Sequence, residues 1–339
     1  MKHVHTATAL VACFLTLMGC GQQAEQKVED PAKAAYREFR DGYLDADTKA
    51  EQVALVERFV TDHPTNRYAS YYVVDIIDHY DRLGEPETAY RLVEPVLEAA
   101  NDPEARFNIG TALAATAAEL GRPLDLESLI SNLEDEGPLD FYQTLSVLDA
   151  AAETGTWDLE ERYANQMIVS ATPDAFRANY PDREFSDDEV ASRVATRKVY
   201  GLTHKAWAAY NQGRVDEAMT LFVEADGLTE KNYVGITGTP LETYWGTALW
   251  RQGDSEGALE KLAPEVVFGD ADSAEPILRQ AYAAVHGGDD GFENYLSTTR
   301  RELAPTVDDF TLLDYQGNEI SLSEARGDSV MLLAFWFPT

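Results

Sequence analysis

The segment "AAYNQGRVDEAMTLF", residues 208–222, has the pattern of a helical hairpin. Gly213 divides the segment, and Ala218 follows five residues later. Glycine can adopt the left-handed backbone conformation that ends a helix, because it has no Cβ atom to clash there. Asp216 is a residue type that begins helices, and the small Ala218 lets two helices approach closely. The segment therefore predicts two helices joined by a turn at Gly213.

The same pattern returns along the chain. Residues 247–262, "TALWRQGDSEGALEKL", place Gly253 before Asp254 and Ala258. Less complete versions surround four more glycines, which are Gly84, Gly121, Gly155 and Gly287. The separations are 37 residues from 84 to 121, 34 from 121 to 155, 40 from 213 to 253 and 34 from 253 to 287. These periods are typical of stacked helical hairpins, so we expect a mostly α protein over residues 31–301.

These hairpins resemble the tetratricopeptide repeat. The residues that carry the resemblance are Gly213, Ala218 and Phe222, and again Gly253, Ala258 and Leu262. Leu126 and Glu160 stand at the alanine position after Gly121 and Gly155, so those two units are degenerate. The resemblance implies a helical-hairpin solenoid that binds protein partners through its repeats.

The interval between Gly155 and Gly213 is 58 residues, which is too long for one hairpin. It contains Pro173, Pro181 and a run of acidic residues before a helix that we expect to be capped near Ser186. The composition of residues 171–198 predicts a long loop or an irregular insert, and segments of that kind are often functional.

The overall charge restricts the partners. The 339 residues include 60 acidic and 27 basic side chains, which gives a formal charge of −33, and 45% of the residues are hydrophobic. The hydrophobic content is that of a globular protein. A surface of this sign repels phosphate groups, which argues against nucleic-acid binding. A basic protein partner or a salty environment suits the charge better.

The first twenty residues, "MKHVHTATALVACFLTLMGC", have the charged start and short apolar core of a signal peptide. Residues 17–20 resemble the lipobox of bacterial lipoproteins, which implies cleavage before Cys20, lipid attachment to Cys20 and anchoring to a membrane. Gly21 in place of Asp after the cysteine implies the outer membrane, with the protein facing the periplasm. An ordinary secretory signal is the alternative. Residues 21–30 are polar and predict a flexible tether.

Cysteine and histidine usage predicts no redox centre, metal or cofactor in this chain. The two cysteines are Cys13, within the predicted leader, and Cys20, the predicted lipid site. The histidines that remain after the leader show no metal-binding spacing, and they are His63, His79, His204 and His286.

Two further patterns have structural explanations. Residues 253–257 match the GxSxG pattern of hydrolases, but a helix is expected before Ser255 where that motif requires a strand. We therefore interpret the segment as a hairpin turn. Four tryptophans in the helical region are expected to pack between helices rather than form a ligand cage, and they are Trp157, Trp207, Trp245 and Trp250.

The pattern changes in residues 302–339. We expect a strand at 310–313, a turn at Gly317, a strand at 319–322, a short helix at 323–326 and an apolar strand at 330–337. This order predicts the beginning of an α/β domain. A domain of that kind needs about 100 residues or more to enclose a core, so we expect the segment to be truncated.

The C-terminal segment resembles the thioredoxin-like redoxins of the bacterial envelope. The resemblance rests on Ala304, Pro305, Asp309–Leu312, Gly317, Ser321–Ser323, Gly327 and Phe335–Thr339. It implies thiol–disulfide exchange by a CxxC motif that follows Thr339, with Trp336, Phe337, Pro338 and Thr339 flanking it. Two alternatives remain open: a non-enzymatic protein-binding scaffold, and a peroxidase of the peroxiredoxin type.

Overall fold

The computed structural model describes residues 31–66, 68–228, 238–269, 271–304, 308–313 and 316–326. The predicted leader with Cys20, the predicted tether and the predicted strand at 330–337 lie outside these residues. So do Trp336, Phe337, Pro338 and Thr339, which the redoxin resemblance places beside the redox motif.

The described chain is mostly helical, as the sequence predicts. Its helices are α1 (Pro31–Asp45), α2 (Lys49–Asp62), α3 (Val73–Leu83), α4 (Pro86–Ala99), α5 (Pro103–Glu119), α6 (Leu126–Glu134), α7 (Phe141–Thr154), α8 (Trp157–Ser170), α9 (Pro173–Ala178), α10 (Asp187–Asn211), α11 (Val215–Asp226), α12 (Leu241–Arg251), α13 (Ser255–Phe268), α14 (Ala271–His286), α15 (Phe292–Leu303) and α16 (Leu322–Arg326). A 3₁₀ turn occupies Ala69–Tyr71, and the strands are β1 (Thr311–Leu313) and β2 (Glu319–Ser321). Within the described ranges, no helix has the length and apolar character needed to cross a bilayer.

The predicted glycine turns are present. All six glycines have left-handed backbone conformations, with φ between 70° at Gly121 and Gly155 and 85° at Gly253. Asp254 begins α13 as predicted, because its Oδ1 accepts a hydrogen bond from the Gly257 N–H at 2.9 Å. The expectation for Asp216 was wrong. Helix α11 begins one residue earlier, after Arg214, and Asp216 lies in the first turn, where the helix dipole favours an acidic side chain.

Six helices, which mostly alternate along the sequence, form a continuous row in the described part of the chain. Each of α3, α5, α7, α10, α12 and α14 contacts the next member of this central row. The intervening helices pack against the row, and the strongest of these contacts join α10 to α8 and α11, and α13 to α12 and α14. The largest hydrophobic cluster extends from Phe39 in α1 to Met167 in α8, and two others follow in α10–α12 and α13–α15.

The irregular insert expected before the Ser186 cap is present in residues 171–186, where α9 is the one helix, whereas residues 187–198 belong to helix α10. Pro173 opens the short helix α9, and the long helix α10 begins at Asp187 after the predicted cap. Ser186 and Glu189 form a capping box there, as the sequence indicated. Phe176 packs with Val190 and Val194 in a small separate core. Proline is well tolerated in the first turn of a helix, so Pro173 marks a helix start and not a loop.

The four tryptophans pack between helices, as expected. Trp207 is buried and stacks on Tyr244 with ring centroids 4.7 Å apart. Trp157, Trp245 and Trp250 are partly buried against the hydrophobic clusters.

The C-terminal elements follow the predicted order. β1 and β2 pair antiparallel, with Leu312 opposite Ile320, and Gly317 lies between the strands with φ of 84°. Helix α16 begins at Leu322, one residue earlier than expected, and the Leu322 N–H donates to the Phe310 carbonyl at 2.8 Å.

Gly201 sets the distance between α10 and α8. A Cβ atom on Gly201 would lie 2.7 Å from Ile168 Cγ1 and 3.0 Å from the backbone oxygen of Ala164. A side chain of any size would therefore push the two helices apart.

Gly201→Ala should destabilise the protein, even though alanine favours helix by about 1 kcal/mol over glycine. Overpacking of this kind costs about 1–3 kcal/mol, so we expect the free energy of unfolding in urea to fall by about 1 kcal/mol or more. Gly288→Ala is the control, because nothing lies within 4 Å of its Cβ position and φ is not left-handed. Equal unfolding midpoints for the two variants would contradict the close packing of α8 against α10.

Candidate functional site

The close approach of α8 and α10 brings Glu160 against His204. His204 lies almost one turn after Gly201 in α10, and Glu160 lies one turn before Ala164 in α8. The Nδ1 atom of His204 is 2.9 Å from Glu160 Oε1, and both side chains are completely buried. The pair is a hydrogen bond between helices in the interior of the protein.

The other side of the imidazole faces a carboxylate on α7. His204 Nε2 is 3.6 Å from Asp149 Oδ1, which is longer than a hydrogen bond. Within the described residues this buried nitrogen has no hydrogen-bond partner, and neither does Glu160 Oε2. The Asp149 side chain is 48% exposed. Solvent therefore reaches Asp149, whereas His204 and Glu160 lie behind it.

Five carboxyl groups interact electrostatically around this point. We call them the acidic cluster, which consists of Asp78 and Asp81 on α3, Asp149 and Glu153 on α7, and Glu160 on α8. Glu153 lies one helical turn after Asp149, so the two side chains share a face of α7. Asp81 also accepts a hydrogen bond from the Thr116 hydroxyl on α5 at 3.4 Å. Among the described residues, His204 is the only basic side chain paired with Asp149 or Glu160.

The environment favours the uncharged form of each group in the centre. Burial raises the pKa of Asp149 to about 7. Burial and then the neighbouring Asp149 raise the pKa of Glu160, and Glu153 has its pKa raised by burial and then by Asp149, Asp81 and Asp78. Burial lowers the pKa of His204 to about 3. A neutral pair places one proton on Glu160, where it bonds to Nδ1, and the imidazole proton on Nε2, facing Asp149.

Aromatic side chains close the site on the α12 side. The Tyr244 ring lies edge-on to His204 with centroids 5.5 Å apart, and it stacks on Trp207. Burial raises the pKa of the Tyr244 hydroxyl, and Asp149, Glu160 and Glu153 raise it further. The guanidinium carbon of Arg251 lies over the Trp207 ring, 5.0 Å from its centroid. Tyr244 thus belongs to the same electrostatic environment as the acidic cluster.

The arrangement favours binding through charge rather than nucleophilic catalysis. His204 lies between two carboxyl groups, but no cysteine or hydroxyl nucleophile in the described part of the chain is within hydrogen-bond distance of it. No group of three or more His, Cys, Asp or Glu side chains within the described ranges is arranged to hold a metal ion. The half-exposed Asp149 carboxyl, with further carboxyl groups and a buried imidazole nitrogen behind it, can attract and hold a cation.

The structure separates the other residues singled out in the sequence. The GxSxG segment is the turn between α12 and α13, with Ser255 as the first residue of α13, so the hairpin interpretation is confirmed. His63 ends α2, while His79 and His286 lie in α3 and α14. Only His204 belongs to the site.

Sequence reasoning missed the acidic cluster. The available signal was the four-residue spacing of Asp149 and Glu153 within the apolar, alanine-rich helix "FYQTLSVLDAAAET". Two acids on one face of such a helix indicate a special environment, but their neighbours on α3, α8 and α10 are set by tertiary packing.

No known protein-family model matches the sequence, and a search of curated proteins gives no significant match.

Glu160→Ala should lower the free energy of unfolding by about 2–4 kcal/mol. The substitution leaves a cavity and removes the partner of His204 Nδ1, and an unsatisfied buried polar group costs about 1–3 kcal/mol. Urea unfolding at neutral pH measures the effect. Glu260→Ala is the matched control on the exposed side of α13, where we expect a change within about 0.5 kcal/mol. A Glu160→Ala effect as small as the control would show that the buried pair contributes little to stability.

Proposed function

We propose that this protein is a lipid-anchored protein of the bacterial envelope whose helical-repeat body carries a thioredoxin-like domain for thiol–disulfide exchange. The observation that supports the redox assignment is the order strand, strand, helix in residues 311–326, which follows the last helix of the body at Leu303. That order agrees with the redoxin-like opening expected from the sequence.

Contacts within the C-terminal segment support a single folding unit. Asp309 Oδ1 accepts a hydrogen bond from the Ser323 N–H at 2.9 Å, and Oδ2 accepts one from the Ser323 hydroxyl at 2.6 Å. These bonds lower the pKa of Asp309. They join Asp309, two residues before β1, to the first turn of α16. The two parts of the redoxin-like pattern, Asp309–Leu312 and Ser321–Ser323, are therefore in contact.

The exposed surface of the sheet also supports a larger α/β domain. Leu312, Leu313 and Ile320 are 57%, 69% and 39% exposed on the two strands. A two-stranded sheet is marginally stable in water by itself, and it normally gains stability by packing against further strands or helices. Apolar side chains on β1 and β2 are available for such packing.

The proposed chemistry needs two cysteines beyond Thr339. At the start of a helix, the first cysteine would have a lowered pKa and attack a disulfide sulfur as the thiolate. The mixed disulfide is then resolved by the second cysteine, which leaves the substrate as a dithiol and the domain as a disulfide. In this proposal Trp336 and Pro338 flank the reactive sulfur and shape its access. The described helices position the domain relative to the lipid on Cys20.

The complete reading frame should encode a CxxC motif directly after Thr339, and its product should reduce insulin disulfides with dithiothreitol as the reductant. Precipitation of the insulin B chain measures the activity. Replacement of both added cysteines by serine is the control and should abolish it. A single cysteine would instead favour a peroxidase, and an immediate stop codon would favour a scaffold, so either result would contradict thiol–disulfide exchange.

Cys20 should carry lipid when the chain is expressed in a bacterium with two membranes. Radioactive palmitate should label the wild-type protein, and the label should appear in the outer-membrane fraction. Cys20→Ser should lose the label. Cys13→Ser is the matched control, because it removes a thiol within the predicted leader and should retain the label. Equal labelling of the two variants would refute lipid attachment at Cys20.

A second candidate function is protein binding by the helical body. The specific observation in its favour is the acidic cluster, which opens to solvent at Asp149 on the continuous row formed by α3, α5, α7, α10 and α12. In this function the helices act as a tetratricopeptide-like scaffold, and binding does not depend on redox chemistry.

A further inference from the structure

We infer that the acidic cluster is a docking site for a lysine-rich segment of a partner protein, with a lysine ammonium group seated between Asp149 and Glu153 in front of His204. The inference rests on the protein-binding function of the helical body, and it adds the chemistry of the partner. It is independent of the redox proposal.

Charge is the first argument. The carboxyl groups come from three helices, α3, α7 and α8, which are brought together only in the folded protein. The pKa values of Asp78, Asp149, Glu153 and Glu160 are raised by burial, and Asp149, Asp81 and Asp78 all contribute to the shift at Glu153. Mutual repulsion of this kind is relieved by a cation, which favours the ionised form of every carboxyl group around it. A lysine side chain supplies a compact positive charge with three hydrogen-bond donors.

The buried imidazole is the second, independent argument. His204 Nε2 is completely buried, has no hydrogen-bond partner among the described residues, and points toward Asp149 from 3.6 Å. Buried polar atoms without partners are rare in folded proteins. An ammonium group that draws Asp149 into its ionised form makes that carboxylate a better acceptor for the Nε2 proton. Ligand binding on the exposed side of Asp149 is thereby coupled to the buried pair behind it.

The aromatic side chains on α10 and α12 suit the same ligand. Tyr244 is edge-on to His204, and its ring stacks on Trp207. Its hydroxyl lies within the influence of Asp149, Glu153 and Glu160, which raise its pKa after burial itself. Trp207 is buried, so the ring that can contact the methylene stem of a lysine is the partly exposed Tyr244.

Binding should depend on pH because carboxyl groups of the protein titrate near neutral pH, whereas the lysine side chain does not. Lysine remains protonated throughout the neutral range. Asp149, with a pKa of about 7, and Asp78, with a pKa of about 6, lose their negative charge as the pH falls through these values. The affinity for a cation should therefore decrease below neutral pH. The titratable groups that interact with Asp149 are Glu153, Glu160, Tyr200, His204 and Tyr244. Besides its burial, Asp78 interacts with Asp75 and Asp81, which raise its pKa, and with Arg82 and Lys49, which lower it.

The test uses a fluorescein-labelled hexalysine peptide and its fully Nε-acetylated form, with the complete 339-residue chain and fluorescence anisotropy at constant ionic strength. Hexalysine should bind and the acetylated peptide should not. The double variant Asp149→Asn with Glu153→Gln should weaken binding by about tenfold or more, since one decade corresponds to loss of a single good charge contact. Wild-type affinity should also be lower at about pH 5.5 than at about pH 8.

The control variant combines Asp182→Asn with Glu260→Gln, which removes the same two charges from exposed positions. Its affinity should stay within about twofold of wild type, because exposed charges contribute little. Equal losses in the two double variants would show nonspecific attraction to the acidic surface and overturn the inference. Equal binding of the acetylated peptide would retain a peptide-binding scaffold but refute a cation site.

Carbodiimide cross-linking of wild-type protein to hexalysine gives a readout that does not depend on how the variants fold. The reagent joins a lysine amine to a carboxylate in contact with it, and peptide mass spectrometry identifies the carboxylate. Cross-links concentrated on Asp149 and Glu153 would support the site. Cross-links distributed over exposed acids such as Asp182 and Glu260 would overturn it.

Discussion

The contact between α8 and α10 is the constraint on which the site depends. Gly201 has no side chain, so α10 can approach the backbone of α8 at Ala164 and Ile168. This approach places His204 within hydrogen-bond distance of Glu160, with both groups completely removed from water. A larger spacing would admit solvent and weaken the pair. The position of one glycine therefore determines whether a buried polar pair can exist at the middle of the helical body.

The acidic cluster lowers the stability of the folded protein. Ionised carboxyl groups are disfavoured in a poorly solvated environment, so burial raises the pKa values of Asp149, Glu153 and Glu160 and keeps His204 neutral. Buried charged side chains that only stabilise a fold are normally paired with a side chain of opposite charge. The combination of repelling acids, a neutral imidazole and a solvent-exposed carboxylate is typical of a functional site.

The two proposed functions use separate parts of the chain. The acidic cluster belongs to α3, α7 and α8, whereas the C-terminal strands that the redox proposal uses begin after α15. A helical body that holds a basic partner and a terminal domain that exchanges disulfides would act on one bound protein. Lipid attachment at Cys20, as proposed, would restrict both to the membrane surface. Failure of one function would leave the physical basis of the other unchanged.

Local patterns in the sequence predicted most of the architecture. The glycines at the hairpin turns, the Ser186 cap and the two strands and short helix of residues 311–326 depend on neighbours a few residues away, and all are found as expected. The two prolines indicated an irregular insert before Ser186, which is found, but they did not indicate the short helix α9 inside it. That helix packs through Phe176 against Val190 and Val194 of α10, a contact that the local sequence does not reveal.

The sequence by itself determined the helical class, the turn positions and the excess of negative charge. Only the tertiary structure decided where that charge is concentrated. Glu160 and His204 are 44 residues apart, and the other acids come from α3 and α7. Short-range periodicity carries no information about which helix faces meet, because that depends on packing between segments distant in sequence. The buried imidazole and its carboxylates are therefore visible only once the helices are assembled.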